Sequence, residues 1–171
     1  LVVDDERTGA DSQLHPLVPL LGPVAALDGV GGAHRLHGAN AHLREGVDVA
    51  RSRLVVRRAQ GTHAELDRLA RELGYGRARP RSVTIAAHRL ISLRLGDAAG
   101  HPVHADTRRR AVGAGLRAAR GRVDVGGGRR ALYAAWFLVA AVAPAPVLKT
   151  LAEAALQPLR PGSLARRLVR R

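Results

Sequence analysis

Apolar and polar positions follow two different rhythms along the chain. Up to about residue 60 the apolar residues come in short runs, at 1–3, 24–27 and 54–56. Each run is bounded by charged or turn-forming residues, which predicts short buried strands. Asp4-Asp5 closes the first run and Asp28-Gly29 the second, while Arg51, Arg53, Arg57 and Arg58 flank the third. Between them, Pro16, Pro19 and Pro23 break any long helix. Gly29, Gly31 and Gly32 form a loop, and residues 34–45 fit a helix.

From Thr62 the period becomes helical. Thr62 and Glu65 have capping-box spacing, and Leu66, Leu69 and Leu73 share one face of a helix ending at Gly74. Residues 76–81 are a basic turn broken at Pro80. Residues 82–95 form the next helix, with Val83, Ala86, Ala87, Leu90 and Ile91 on one stripe. A loop with His101-Pro102 covers 96–107, a strongly basic helix covers 108–120, and Gly126, Gly127 and Gly128 form a hinge. Residues 131–148 carry no charge. As a helix they would span about 27 Å, short of a ~30 Å hydrocarbon core. Pro144 and Pro146 leave only 131–143 uninterrupted, which favours a buried or interfacial helix over a transmembrane one. Residues 164–171 pair four Arg with a Leu/Val face, the pattern of a short membrane-surface helix. Three regions follow: an α/β region over 1–60, a basic helical region over 61–125, and an apolar, Arg-rich, membrane-associating tail over 126–171.

Charge sharpens this division. The 171 residues include 28 basic and 14 acidic side chains, a formal net charge of +14. Residues 1–72 are nearly neutral, with nine Arg against ten acids. Residues 73–171 hold 19 basic residues against Asp97, Asp106, Asp124 and Glu153. The second part is therefore the candidate for contact with phosphates or an anionic surface. Lys149 is the only Lys, and the Ala-, Gly- and Arg-rich composition is that of a GC-rich gene, so codon usage contributes to the excess. The absence of Cys excludes disulfides, zinc ribbons and thiol nucleophiles. With 2% aromatic residues, base-stacking platforms are nearly excluded. The lack of Met, even at position 1, points to a fragment, an unusual start codon or an imperfect gene boundary.

Candidate chemistry is sparse. Asp4 and Asp5, at the end of a strand, stand where α/β folds bind ligands, and could hold a base, a ribose or a divalent metal. His34, His37 and His42 do not converge on one helix face, and no carboxylate–His pair has zinc-site spacing. His101 and His104 fall in a loop, while His88 reads as a core histidine with a satisfied ring. In the Gly29–Gly32 loop, His34 takes the third glycine position of a dinucleotide fingerprint, and no phosphate-binding loop occurs. The Arg helix 108–120 could neutralise phosphates, without any recognised nucleic-acid reader motif.

Val2-Val3-Asp4-Asp5 resembles the first strand of family 2 glycosyltransferases, which share the GT-A nucleotide-sugar fold. The segment from His37 to Gly46 keeps Gly38, Ala41 and Gly46 of a later family stretch, with Leu43-Arg44 in place of Arg-Asn. The resemblance implies a partial Rossmann-like (GT-A-like) N-terminal part followed by a mainly α-helical basic part. It further implies that Asp4 and Asp5 contact a nucleotide-sugar donor, with a divalent cation as cofactor. The family's Asp-x-Asp is absent after residues 54–58, and no catalytic base can be named. Leu1 to Glu6 also resembles the start of response-regulator receivers, with Asp28-Gly29 and Asp48 at receiver-like distances. There the phosphoacceptor position falls on Arg53, and no receiver Lys is present.

The sequence thus predicts a glycosyltransferase-like protein peripheral to the inner face of the cytoplasmic membrane, transferring a sugar to a polysaccharide or lipid-linked acceptor. The alternative is a non-enzymatic Arg-rich module for an anionic membrane or nucleic acid, with the membrane preferred.

Overall fold

A computed structural model describes residues 47–76 and 82–156, together with Val18 and Gly22. Five helices account for most of them: α1 (Val49–Glu72), α2 (Val83–Leu95), α3 (Arg108–Arg120), α4 (Gly127–Val142) and α5 (Ala145–Leu156). No strand occurs among the described residues. The α/β expectation is corrected on this point, because residues 54–56, the expected third strand, are the second turn of α1. The expected strands at 1–3 and 24–27 lie outside the described residues.

The reason for the correction is local. Ser52, Val56, Leu66 and Ala70 are buried, and Ala59 and His63 are half-buried. Positions 52, 56, 59, 63, 66 and 70 advance by four and three in turn, the spacing of one helix face. Four of those six positions are Ser, Ala or His, so the contiguous apolar run at 54–56 masks the longer period. Thr62 and Glu65 accordingly sit inside α1 rather than at its start.

The described residues fall into two compact units, 59–76 in one and 47–58 with 82–156 in the other. In the first, Arg68 bridges Glu65 at 2.5 Å and Glu72 at 2.6 Å along the helix. Burial centres on Leu66 and Ala70, and Leu73 is exposed. The helix ends as the sequence predicts, near Gly74, whose φ of +78° is left-handed. The Tyr75 N–H donates to the Ala70 carbonyl and the Gly74 N–H to that of Arg71, the paired bonds of a Schellman motif.

The second unit is built on short, capped helices. The Ser82 hydroxyl accepts from the Ile85 N–H at 3.2 Å, starting α2. The Thr107 hydroxyl accepts from the Arg110 N–H at 3.2 Å, starting α3. Gly126 starts α4, so the triple glycine is a helix entry rather than a hinge. Pro144 forces Ala143 into an extended conformation and divides α4 from α5. Leu90, Phe137 and Leu148 are fully buried, with Ala86, Ala87, Ala111, Ala140 and Ala143 packed around them. This core is an alanine seam around one aromatic ring. Trp136 meets Phe137 edge-to-face at 5.0 Å and donates its indole N–H to the Leu151 carbonyl on α5.

Within this unit, two polar clamps tie residues 49–58 of α1 to α2 and the loop after it. The Ser52 hydroxyl lies 3.1 Å from His88 Nδ1 on α2. Arg53 donates to the Asp97 carbonyl at 2.7 Å and to its carboxylate at 2.9 Å. Gly96 and Gly100 leave room for that guanidinium: a Cβ on Gly96 would stand 2.6 Å from Arg53 Nη2, and one on Gly100 would overlap it.

Candidate functional site

The helix α3 has two opposed faces. Ala111, Gly115, Ala118 and Ala119 are buried on one side. At 100° per residue, Arg109, Arg110, Arg117 and Arg120 lie opposite them, and all four are exposed. No acid interrupts the helix, whose first turn is Arg108-Arg109-Arg110. Small residues inside and long cationic ones outside make a basic amphipathic helix. The sequence-predicted Arg helix 108–120 is therefore present, with its charge on the solvent side.

The helix α4 presents a different surface. Phe137 and Ala140 point into the core, while Ala131, Leu132, Ala135, Leu138, Val139 and Val142 are exposed. At 100° per residue these six fall within an arc of about 120°, so they form one stripe along most of the helix. Leu132 is 67% exposed and Val142 79%, values at home in a polar side chain rather than an aliphatic one. Arg129 precedes the stripe and Lys149 follows it, both exposed, and no carboxylate occurs between Asp124 and Glu153. Val147 extends the apolar exposure into α5. The apolar segment 131–148 was legible in the sequence; its outward-facing stripe was not. No helix of the described residues is long and apolar enough to cross a membrane.

A buried polar chain lies beneath the loop 96–107. Ser92 Oγ is 2.9 Å from His101 Nδ1, and His101 Nε2 is 3.1 Å from Asp106 Oδ2. The same oxygen accepts from Arg89 Nε at 2.9 Å and pairs with Nη2 at 2.8 Å, while Oδ1 accepts from the Thr107 N–H. A hydroxyl, an imidazole and a carboxylate in series have the connectivity of an acid–base relay. Here, however, the side chains of Ser92 and Asp106 show no solvent exposure and that of His101 only 2%. A substrate has no route to the hydroxyl, so the chain locks the loop onto α2. Sequence reasoning saw His101 only as a loop residue. The available signal was Asp106 directly before the capping Thr107.

His88 has the satisfied ring expected of it, bonded to Ser52. Burial, with a smaller contribution from nearby Arg51, pushes its pKa down to about 4. His104 is exposed. Arg53, at the receiver phosphoacceptor position, holds Asp97 and keeps that carboxyl below its usual range, helped by the Gly100 N–H. Asp48 caps the start of α1, accepting from the Ala50 N–H at 2.8 Å.

Asp4, Asp5, the Gly29–Gly32 loop, His34, His37 and His42 lie outside the described residues. Among the described residues, no group of three or more His, Asp or Glu is placed to hold a metal ion. The residues that the resemblance assigns to a nucleotide-sugar donor and its divalent cation thus lie outside the described residues. No protein-family model matches the chain, and no curated protein or solved structure matches it either.

Proposed function

We propose that this protein is a non-enzymatic module that docks peripherally on an anionic membrane surface. The observation supporting this reading is the apolar stripe of α4, exposed along the helix and bracketed by Arg129 and Lys149. An uncharged face lowers its free energy by entering the headgroup–acyl boundary, at about 25 cal/mol per Å² removed from water. Cations at both ends of such a face stay in the headgroup layer, each worth about 1 kcal/mol near an anionic surface. Nucleic acid would engage the cations and leave the stripe in water. The scarcity of aromatic residues also removes the stacking that single strands require.

The glycosyltransferase resemblance rests on residues 2–5 and 37–46, outside the described residues, and 54–58, where the family's Asp-x-Asp strand would stand, is helical. No described feature favours it over docking.

Co-sedimentation with phosphatidylcholine vesicles, with and without phosphatidylglycerol, at low and high salt tests the docking. The protein is expected to pellet with anionic vesicles and to retain part of that binding at high salt. Leu138→Asp combined with Val142→Asp should abolish the salt-resistant part; both residues are exposed, so circular dichroism should be unchanged. Failure to bind either vesicle, or undiminished binding by the double variant, would overturn the reading. Binding to duplex DNA alone, with steep salt dependence, would move it to nucleic acid.

A further inference from the structure

The solvent face of α3 carries more positive charge than the fold uses. Five Arg stand on thirteen residues with no acid, and three of them occupy the first turn. A helix N-terminus already bears partial positive charge, so cations there are at the unfavourable end. Among the described residues, Arg108, Arg109, Arg117 and Arg120 enter no ion pair. Arg110 gives one N–H to the Ala105 carbonyl at 2.6 Å and keeps its other donors. Among the described residues, the cluster thus raises the energy of the fold without a compensating carboxylate.

Its geometry has a centre. Gly113 lies four residues after Arg109, three after Arg110 and four before Arg117, so all three are its neighbours on the helix surface. A Cβ on Gly113 would find Arg117 Nη1 as its nearest atom, at 3.3 Å. The Arg117 guanidinium therefore lies along the helix beside the glycine, over bare backbone. Arg109 and Arg117 are rooted about 12 Å apart along the axis, close enough for two arginine side chains to converge on one group between them.

We propose that this cradle binds a phosphomonoester, with Arg109, Arg110 and Arg117 closing on it above Gly113. A phosphomonoester carries nearly two negative charges and three acceptor oxygens, which suits several planar guanidinium forks rooted around one point on a helix. A phosphodiester backbone spreads single charges along its length and would suit an evenly spaced stripe. The site goes beyond the membrane reading, because both a lipid headgroup and free phosphate offer this chemistry.

Two arms test it on the full chain. In the first, inorganic phosphate is titrated against amide and Arg side-chain NMR signals, with sulfate and chloride at equal ionic strength as controls. In the second, phosphatidylcholine vesicles containing phosphatidic acid are compared with vesicles containing phosphatidylglycerol at matched surface charge. Preference for phosphatidic acid, reduced about fivefold or more in Arg109→Gln/Arg117→Gln, supports the site with a lipid source. Phosphate-specific shifts around Gly113 without lipid preference support it with a free-phosphate source. Gly113→Ala should weaken either response by displacing the Arg117 guanidinium. Shifts no larger than those with sulfate or chloride, together with equal binding to both vesicles, overturn the proposal. Tighter binding to duplex DNA than to any phosphomonoester also overturns it. Should vesicles not bind at all, the membrane reading fails and the phosphate arm still decides the site.

Discussion

Gly115 on α3 receives the ring of Phe137 from α4: a Cβ at position 115 would overlap Cδ1, Cε1 and Cζ of that ring. Phe137 is the largest fully buried side chain, so the approach of these two helices depends on a missing side chain. Gly115→Ala is expected to destabilise the fold by about 1–3 kcal/mol through overpacking. Gly61, exposed within α1 with nothing within 4 Å of a Cβ, is the control. There the same exchange should stabilise by about 1 kcal/mol, as helix propensity predicts. Urea unfolding of the two variants measures both signs.

Arg94 closes the end of α4. Its guanidinium donates to the Ala141 carbonyl at 2.7 Å and also to the Ala143 carbonyl. The helix stops at Val142, so these terminal carbonyls lack an intrahelical donor, and a cation there also meets the negative end of the helix. Arg94→Ala should cost about 1–3 kcal/mol. Arg94→Lys should recover part of that, because one ammonium cannot span both oxygens as a fork does. Chemical denaturation of the three proteins ranks them.

Removing Asp106 should cost more. Asp106→Ala leaves Arg89 and His101 facing an empty acceptor site and frees the Thr107 N–H. Breaking a buried charged pair from one side costs about 3–5 kcal/mol. The loop 96–107 should then lose hydrogen-exchange protection before the helices do. Uniform loss across the protein would argue that the cluster does not act on the loop specifically.

Acid should weaken the protein through His88. Its folded pKa of about 4 lies below the ordinary 6.5, so the fold favours the neutral ring. The corresponding stability is fully present above pH 6.5, declines as pH falls, and is lost once pH passes through 4; it amounts to about 3 kcal/mol. His88→Gln keeps a hydrogen-bonding group toward Ser52 but cannot titrate. The stability difference between wild type and this variant should therefore shrink from pH 7.5 to pH 4. A difference independent of pH would show that His88 does not titrate with folding.

The parts of the fold that were legible in the sequence are those fixed by neighbouring residues. Ser82, Thr107, Gly74 and Pro144 each act on the turn beside them, and the helix boundaries at 82–95, 108–120 and 143 follow. The misreading at 54–56 came from weighing three adjacent apolar residues above a face carried by Ser52, Ala59 and His63. Such weakly apolar positions show their period only over the full length of α1. The candidate interface was legible in composition, as Arg at 108–120 and an uncharged run at 131–148. Its geometry was not, because the orientation of each helix is set by small residues such as Ala111 and Gly115. Their role is to be short, and a sequence pattern weights them least.

The helices from α2 onward each pack on the next one along the chain, with α2 also meeting α4 and α5. The connections between successive helices are at most the twelve residues of 96–107, and only two separate α4 from α5. Contacts between near neighbours cost little loop-closure entropy, and no strand register has to be searched among these residues. This part of the chain should therefore assemble rapidly, hairpin by hairpin. The clamps of α1 span 36 residues from Ser52 to His88 and 44 from Arg53 to Asp97, so they close late. Substitutions at Ser52 or Arg53 should then accelerate unfolding while leaving the folding rate nearly unchanged.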